Sequence, residues 1–172
     1  ESFARFAPPD AVLLVKEHPL DSGFRNWRKF VMARARALGV DERVQHIDGG
    51  DLQELAEHAA GMVCVNSTSG TLALEAGLPV VVLGDAVYDV RGVTHQTGLD
   101  RFWVEPEAPN RELYMAFKRM LHAKCLVRGG LASASAMETL VRGSIDRLLA
   151  EPSPSPDHVP GSARQSEIKL TG

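Results

Sequence analysis

The sequence lacks the features that mark membrane-spanning, secreted and nucleic-acid-binding proteins. It has only two cysteines, Cys64 and Cys125, and no metal-ligand spacing surrounds either one, which favours a reduced, cytosolic protein. No apolar run approaches the roughly 20 residues that cross a bilayer, and the first residues do not form a signal peptide. The net charge is −3, and no block of lysine and arginine stands out that would indicate nucleic-acid binding.

The composition is instead that of a globular protein, with 44% hydrophobic and 24% charged residues. From Glu151 onward the chain turns to proline, serine and glycine, a composition that is typical of disorder. We therefore expect one domain over residues 1–150 and a disordered tail over residues 151–172. Because the chain begins with Glu1 and not with methionine, we also expect it to be part of a longer product.

The most informative stretch lies between Gly61 and Gly84. An apolar run, Met62–Val65, leads into the hydroxyl-rich loop Asn66-Ser67-Thr68-Ser69-Gly70. A short helical segment then precedes a second apolar run, Val80–Leu83. Continuous apolar runs without alternation predict strands that are buried on both faces, as in a parallel sheet.

The Asn66–Gly70 loop has two interpretations. It follows a strand and precedes a helix, where unpaired backbone N–H groups and the helix dipole favour an anion such as phosphate. Serine, threonine and asparagine are also the commonest helix N-caps, so these side chains could instead serve only to start the helix. The loop alone leaves both roles open.

A second polar motif follows the first predicted strand, Ala11–Lys16. Pro19 excludes the helical conformation for His18 and predicts an extended loop at the carboxyl end of that strand. In an open parallel sheet, ligands bind at this edge. A single histidine before proline is usually a surface residue, but Lys16 is expected to point the same way as His18 and strengthens the binding interpretation.

The remaining segments complete an alternation of strands and helices. We predict helices over residues 24–38, 51–60, 110–122 and 135–149, a strand over Val44–Ile47, and an irregular loop over residues 85–98. Asp51 is expected to cap its helix. In the helix over residues 24–38, the basic residues are expected in solvent, and the inward face is expected to contain Trp27, Phe30, Val31, Ala35 and Leu38. The order predicts an α/β fold with a parallel sheet.

These motifs, in this order, resemble the bacterial capsule polysaccharide biosynthesis and export family, which includes β-Kdo transferases of the KpsS/KpsC type. The similar segments are Lys16–Asp21, Val65–Gly70, Gly77–Val80, Leu83–Asp89, Gly92–Thr94 and Leu99–Trp103. The resemblance extends over roughly residues 10–130. It implies a Rossmann-like parallel sheet flanked by helices, the carboxyl-terminal, nucleotide-binding half of a GT-B glycosyltransferase.

The resemblance also implies an activity, the transfer of Kdo from CMP-Kdo to a lipid or to a Kdo-linker acceptor. His18 resembles the catalytic histidine that contacts the CMP phosphate, and Ser67 and Thr68 resemble the hydroxyl pair on the same phosphate. Such donors stabilise a departing phosphate without a metal, and no cofactor beyond the CMP-sugar is expected. The other residues expected to bind the donor are Lys16, Pro19, Asn66, Ser69, Gly70 and, at the ribose, Asp51.

The sequence departs from the family pattern in two ways. Glu75 resembles the carboxylate that holds the ribose in GT-B enzymes for UDP-sugars, which leaves the choice between CMP and UDP open. The acidic catalytic motif of the family belongs to the amino-terminal half, and nothing in this chain supplies it. We therefore expect the chain alone to bind the donor without turnover.

Two alternatives to a Kdo transferase remain open. The chain could be a non-catalytic component of capsule export or assembly, or a UDP-sugar domain of GT-B or epimerase type. The partners implied are a nucleotide sugar, a glycolipid or oligosaccharide acceptor, the amino-terminal GT-B half and a capsule-assembly complex, with no nucleic acid. The implied location is cytoplasmic, peripheral at the inner face of the inner membrane.

Overall fold

The computed structural model describes residues 1–18 and 21–150. The predicted tail, residues 151–172, and Pro19 of the predicted site lie outside the described residues. The chain divides into two compact units, Glu1–Lys124 and a second unit that begins at Cys125. The predicted domain over residues 1–150 stays a prediction, and the two units are described separately.

Helices and short strands alternate through the first unit, as predicted. Its elements are α1 (Ser2–Phe6), β1 (Leu13–Lys16), α2 (Trp27–Ala37), β2 (Val44–Ile47), α3 (Leu52–His58), β3 (Met62–Cys64), α4 (Ser69–Glu75), β4 (Val80–Val82), α5 (Leu99–Phe102) and α6 (Arg111–Lys124). The predicted α/β class is confirmed.

The strands form two parallel pairs. In the first pair, β1 lies beside β2 with Lys16 opposite Ile47, and in the second, β3 lies beside β4 with Met62 opposite Val80. Each pair is connected through a helix, α2 or α4, as parallel neighbours require. Within the described residues no hydrogen-bonded ladder joins the two pairs, so the expected parallel sheet is present as two sheets of two strands.

The loop predicted over residues 85–98 adds to the second sheet. The backbone N–H of His95 donates to the carbonyl of Val80 at 2.8 Å, and His95 forms an isolated parallel bridge with Val81. Because Val93, Thr94 and His95 are buried, this segment packs as part of the interior despite its irregular backbone.

The interior of the first unit consists of two apolar clusters. The first surrounds the β3–β4 pair, and the second surrounds the β1–β2 pair. The first contains Ala73, Leu74, Val80, Tyr88, Val93 and Tyr114, and the second contains Phe3, Ala35, Val40 and Val44. A row of rings connects them, since Phe3, Trp103, Phe102 and His95 make successive edge contacts with centroids 5.3, 5.7 and 5.3 Å apart.

Helix α2 shows where the sequence pattern was wrong. Its start is set by Asn26, whose side-chain oxygen accepts the Lys29 N–H at 2.7 Å, and Gly39 follows its end with φ +67°. Of the five residues expected to face inward, Ala35 is buried, and the half-buried Val31 and Leu38 pack against the second cluster, as predicted. Trp27 and Phe30 are 36% and 47% exposed, so for these two the prediction is wrong.

The second unit contains α7 (Ala134–Leu149). The hydroxyl oxygen of Ser133 accepts the N–H of Ala136 at 3.3 Å and caps the helix. Gly129 has φ +123°, and a Cβ there would lie 2.5 Å from the carbonyl oxygen of Ala136. Only glycine therefore fits at this position before α7. A bilayer-spanning helix is not found anywhere in the described part of the chain.

Candidate functional site

The structure distinguishes between the two interpretations of the Asn66–Gly70 loop. Thr68 occupies the N-cap position of α4, yet its side chain makes no capping hydrogen bond. The hydroxyl of Ser67 accepts the Ser69 N–H at 3.2 Å and lies 2.7 Å from the Ser69 hydroxyl. One of the three hydroxyls thus supports the helix start, and the exposed Thr68 hydroxyl has no capping role.

The backbone donors at the start of α4 are less available than the sequence predicted. The N–H of Gly70 donates to the Ser67 carbonyl at 3.0 Å, and the N–H of Thr71 donates to the Thr68 carbonyl at 3.0 Å. The N–H of Ser69 already bonds to the Ser67 hydroxyl. Any anion at this loop would therefore rely more on side-chain hydroxyls than on the helix's own N–H groups.

Tyr88 holds this loop in place, and sequence reasoning did not single it out as a site residue. Its ring is 3% exposed, and its hydroxyl donates to the Ser67 carbonyl and lies 3.4 Å from the sulfur of Cys64. Burial and, next, the Cys64 thiol raise the pKa of Tyr88 above its usual range, which keeps the hydroxyl protonated as a donor. The signal was present in the Leu83–Asp89 motif, which contains this tyrosine.

The close approach of Tyr88 explains why residue 70 is a glycine. A Cβ at Gly70 would lie 2.8 Å from Cζ and 2.9 Å from Cε2 of Tyr88, closer than side-chain carbons pack. Gly70 is accordingly buried. The glycine lets the Tyr88 ring reach the backbone of the loop, so its first role is packing, and its role in donor binding stays a prediction.

Lys16 and His18 lie at the carboxyl end of β1, as the sequence predicted. Lys16 is the last residue of β1, and the next N–H, of Glu17, donates to the Ile47 carbonyl at 3.0 Å. His18 is exposed, and its carbonyl accepts the N–H of Asp21 at 2.9 Å. His18 follows β1 of the first strand pair and the Asn66–Gly70 loop follows β3 of the second, so no common ladder sets the distance between the two motifs.

Asp51 caps α3, as its motif predicted. One carboxylate oxygen accepts the N–H groups of Gln53 at 2.7 Å and Glu54 at 3.3 Å. Negative charge at this position is also favoured by the helix dipole. Its second expected role, at the ribose, stays a prediction.

Glu75 is bound to α6. Its carboxylate forms an ion pair with Lys118 and lies 3.3 Å from the hydroxyl of Tyr114. The same Tyr114 hydroxyl lies 3.2 Å from the carbonyl oxygen of Thr71. Burial and, next, the negative charge of Glu75 raise the pKa of Tyr114 to about 12. Glu75 thus ties α4 to α6, and a role at the ribose stays a prediction.

Comparison with known proteins gives one consistent result. Residues 1–131 match the model of the family described as capsule polysaccharide biosynthesis protein. The chain is 36% identical over 126 residues to the capsule polysaccharide export protein KpsS of Escherichia coli. The aligned region covers 73% of this chain and 32% of KpsS. The chain is also 40% identical over 125 residues to the capsule polysaccharide modification protein LipB of Neisseria meningitidis serogroup A. This aligned region covers 70% of the chain and 29% of LipB.

The chain spans about a third of the length of these relatives. No solved structure matches it. Both polar motifs, at residues 16–18 and 66–70, fall inside the region matched by the family model, as does Tyr88.

Proposed function

The chain belongs to the capsule polysaccharide biosynthesis protein family, and from this premise we propose that it is the donor-binding part of a capsule glycosyltransferase. The family predicted from the motifs is confirmed. The finer proposal is that the donor is CMP-Kdo and that the sugar is transferred to a lipid or a Kdo-linker acceptor. The observation that carries it is the Ser67–Thr68 hydroxyl pair after β3, in a loop where Thr68 is not needed as a cap.

The proposed chemistry is stabilisation of the departing CMP phosphate. As the glycosidic bond to the sugar breaks, negative charge grows on the phosphate oxygens, and donors aimed at them lower the barrier. Lys16, His18, Ser67 and Thr68 supply cationic and hydroxyl donors, and hydrogen bonds to a charged group are the strong ones. The carboxylates of Asp51 and Glu75 are the candidate partners for the ribose hydroxyls. This donor site uses no cofactor beyond the nucleotide sugar.

Addition of CMP is expected to raise the melting temperature of the 172-residue chain. A ligand that binds only the folded state stabilises it by about 2.7 kcal/mol at a concentration of 100 Kd. Isothermal titration calorimetry with CMP, checked by thermal unfolding, measures both effects. A folded chain that gives no binding heat at millimolar CMP would contradict the donor-binding proposal and leave a non-catalytic export or assembly role as the better account.

A parallel titration with UDP tests the second candidate, a UDP-sugar domain. Glu75 is the residue that favours it, because a carboxylate one helix beyond the loop suits a ribose. Its ion pair with Lys118 and its contact with Tyr114 already occupy one of its oxygens, which weighs against a free ribose ligand. Tighter binding of UDP than of CMP would replace the CMP-sugar assignment.

We propose that the complete enzyme needs further partners. These are an amino-terminal GT-B half that carries the acidic catalytic group, a glycolipid or oligosaccharide acceptor, and a capsule-assembly complex. The names of these relatives, an export protein and a modification protein, are consistent with such a setting.

The start of α2 and the residues just before it support a peripheral site at an anionic membrane. Phe24 is 97% exposed, and Trp27 and Phe30, which are exposed too, make an edge contact with ring centroids 6.1 Å apart. The guanidinium carbon of Arg25 lies 5.0 Å from the Trp27 ring centroid and 4.5 Å from that of Phe30. Exposed aromatics beside basic side chains match the apolar boundary and the anionic headgroups of a cytoplasmic leaflet.

Co-sedimentation with vesicles is expected to show binding to phosphatidylserine-containing membranes and little to neutral ones. Arg25→Ala is expected to weaken binding by about 1 kcal/mol, roughly fivefold, because one basic residue near the surface contributes about that much. Arg119→Ala is the matched control, since it removes one exposed arginine from a different helix, α6. Equal binding to neutral vesicles, or equal losses in both variants, would refute the membrane proposal.

A further inference from the structure

A second polar cluster lies where β1 and β2 end, and neither the sequence patterns nor the proposed donor site includes it as a unit. It consists of Glu17, His46 and Asp48. One ligand atom from each of these side chains lies within 4.8 Å of the other two. We call it the His46 cluster.

Strand geometry explains why these three side chains meet. Val15 is paired with His46, and paired residues in a parallel ladder point to the same face. Glu17 follows Val15 by two residues, and Asp48 follows His46 by two, so alternation directs all three to one face. Lys16 is one residue out of phase and is directed to the other face. The His46 cluster is therefore separate from the proposed phosphate donors.

His46 is buried on the side where Val15 and Val44 join the second apolar cluster. Its side chain is 1% exposed, and neither ring nitrogen has a hydrogen-bond partner. Carboxylate oxygens lie close, Glu17 Oε2 at 3.5 Å from Nε2 and Asp48 Oδ1 at 3.2 Å from Nδ1, without forming hydrogen bonds. An unpaired buried polar group costs free energy, and an ion or a water that satisfies it is the usual explanation.

His95 shows how this fold treats an ordinary buried histidine. Its side chain is as buried as that of His46, but Nε2 lies 3.0 Å from the Gly98 carbonyl and 3.0 Å from the Thr97 hydroxyl. Its Nδ1 accepts the N–H of Glu107 at 3.3 Å. Among the described residues, His46 is the buried histidine whose two ring nitrogens have no hydrogen-bond partner, so one of them is available to bind a ligand.

We propose that the His46 cluster binds a divalent cation, with one imidazole nitrogen of His46 and one oxygen each from Glu17 and Asp48 as ligands. An imidazole with two carboxylates suits a cation such as Zn²⁺ and disfavours Mg²⁺, which takes oxygen ligands and keeps its waters. Two carboxylates neutralise the charge of the cation.

The spacing is close to what such a site requires. Zinc bonds of about 2.0 Å at tetrahedral angles place ligand atoms about 3.3 Å apart. With Nε2 of His46 as the ligand, Oε2 of Glu17 already lies at 3.5 Å from it, close to this spacing. Oδ1 of Asp48 lies 3.2 Å from the other ring nitrogen, Nδ1, so the Asp48 side chain, which is 71% exposed, has to rotate toward Nε2 to complete the site. Three protein ligands leave the fourth position of a tetrahedral cation open, as in catalytic sites.

The test is a titration of the chelator-treated 172-residue chain with Zn²⁺ and, separately, with Mg²⁺. Cys125 is exposed, so the titrations use a Cys125→Ser background to remove a competing thiol. We expect one equivalent of Zn²⁺ to bind and to raise the melting temperature, and Mg²⁺ to bind far more weakly. His46→Gln and Asp48→Asn are each expected to lower Zn²⁺ affinity by more than about tenfold, the loss that even an outer-shell partner can cause.

His58→Gln is the matched control, because His58 is an exposed histidine on α3, a helix that also contains Glu54 and Glu57. Its affinity for Zn²⁺ is expected to equal that of the parent. Zn²⁺ binding that is absent, or that His46→Gln and Asp48→Asn leave unchanged, overturns the proposal. If His46→Gln fails to fold, Asp48→Asn decides, since its side chain is largely in solvent. The assay contains no nucleotide, so its result is independent of the proposed donor site.

Discussion

Tyr88→Ala is expected to lower the free energy of unfolding by about 3–5 kcal/mol, the usual loss when a large buried aromatic side chain is truncated to alanine. The ring of Tyr88 lies in the first apolar cluster against Gly70, and its hydroxyl donates to the Ser67 carbonyl. Truncation therefore opens a cavity and releases the loop at once. Because a domain is stable by only about 5–15 kcal/mol, urea denaturation will show a large shift of the midpoint.

Tyr88→Phe is the matched control, since it keeps the ring and removes only the hydroxyl. Its expected loss is about 0.5–1.5 kcal/mol, the net value of one hydrogen bond. Equal midpoints for the alanine and phenylalanine variants would mean that the ring is not packed as the structure describes it.

His18→Ala is expected to weaken CMP binding by about 1.5–3 kcal/mol, roughly 10- to 150-fold, because a hydrogen bond to a charged phosphate is worth that much. His18 is exposed just after β1, so the substitution leaves no cavity and the melting temperature of the free protein should change little. Isothermal titration of the variant with CMP, beside thermal unfolding without ligand, separates binding from stability.

The same substitution at His58 supplies the comparison. His58 is also exposed, near the end of α3, where its ring nitrogen Nδ1 lies 2.8 Å from the Glu54 carbonyl. His58→Ala should bind CMP as the parent does. If His18→Ala also binds CMP like the parent, or unfolds at room temperature, the assignment of Lys16 and His18 to the phosphate is wrong.

Local features of this protein were readable from the sequence. The apolar runs at residues 11–16, 62–65 and 80–83 predicted strands, and each contains one. Asp51 was expected to cap α3 and does. These outcomes depend on residues within a few positions of one another, where side-chain chemistry and backbone preference act directly. The family was readable for the same reason, since its motifs are short and local.

What only the tertiary structure decided depends on residues far apart in the chain. No periodicity indicates that Tyr88 packs against Gly70, that Glu75 pairs with Lys118, or that His46 is buried between two carboxylates. Trp27 and Phe30 share the predicted inward face with Val31, Ala35 and Leu38, yet of these five they are the two that stay exposed, away from the second cluster. Sequence specifies which residues share a face, but which partners cover that face is decided by packing between distant segments.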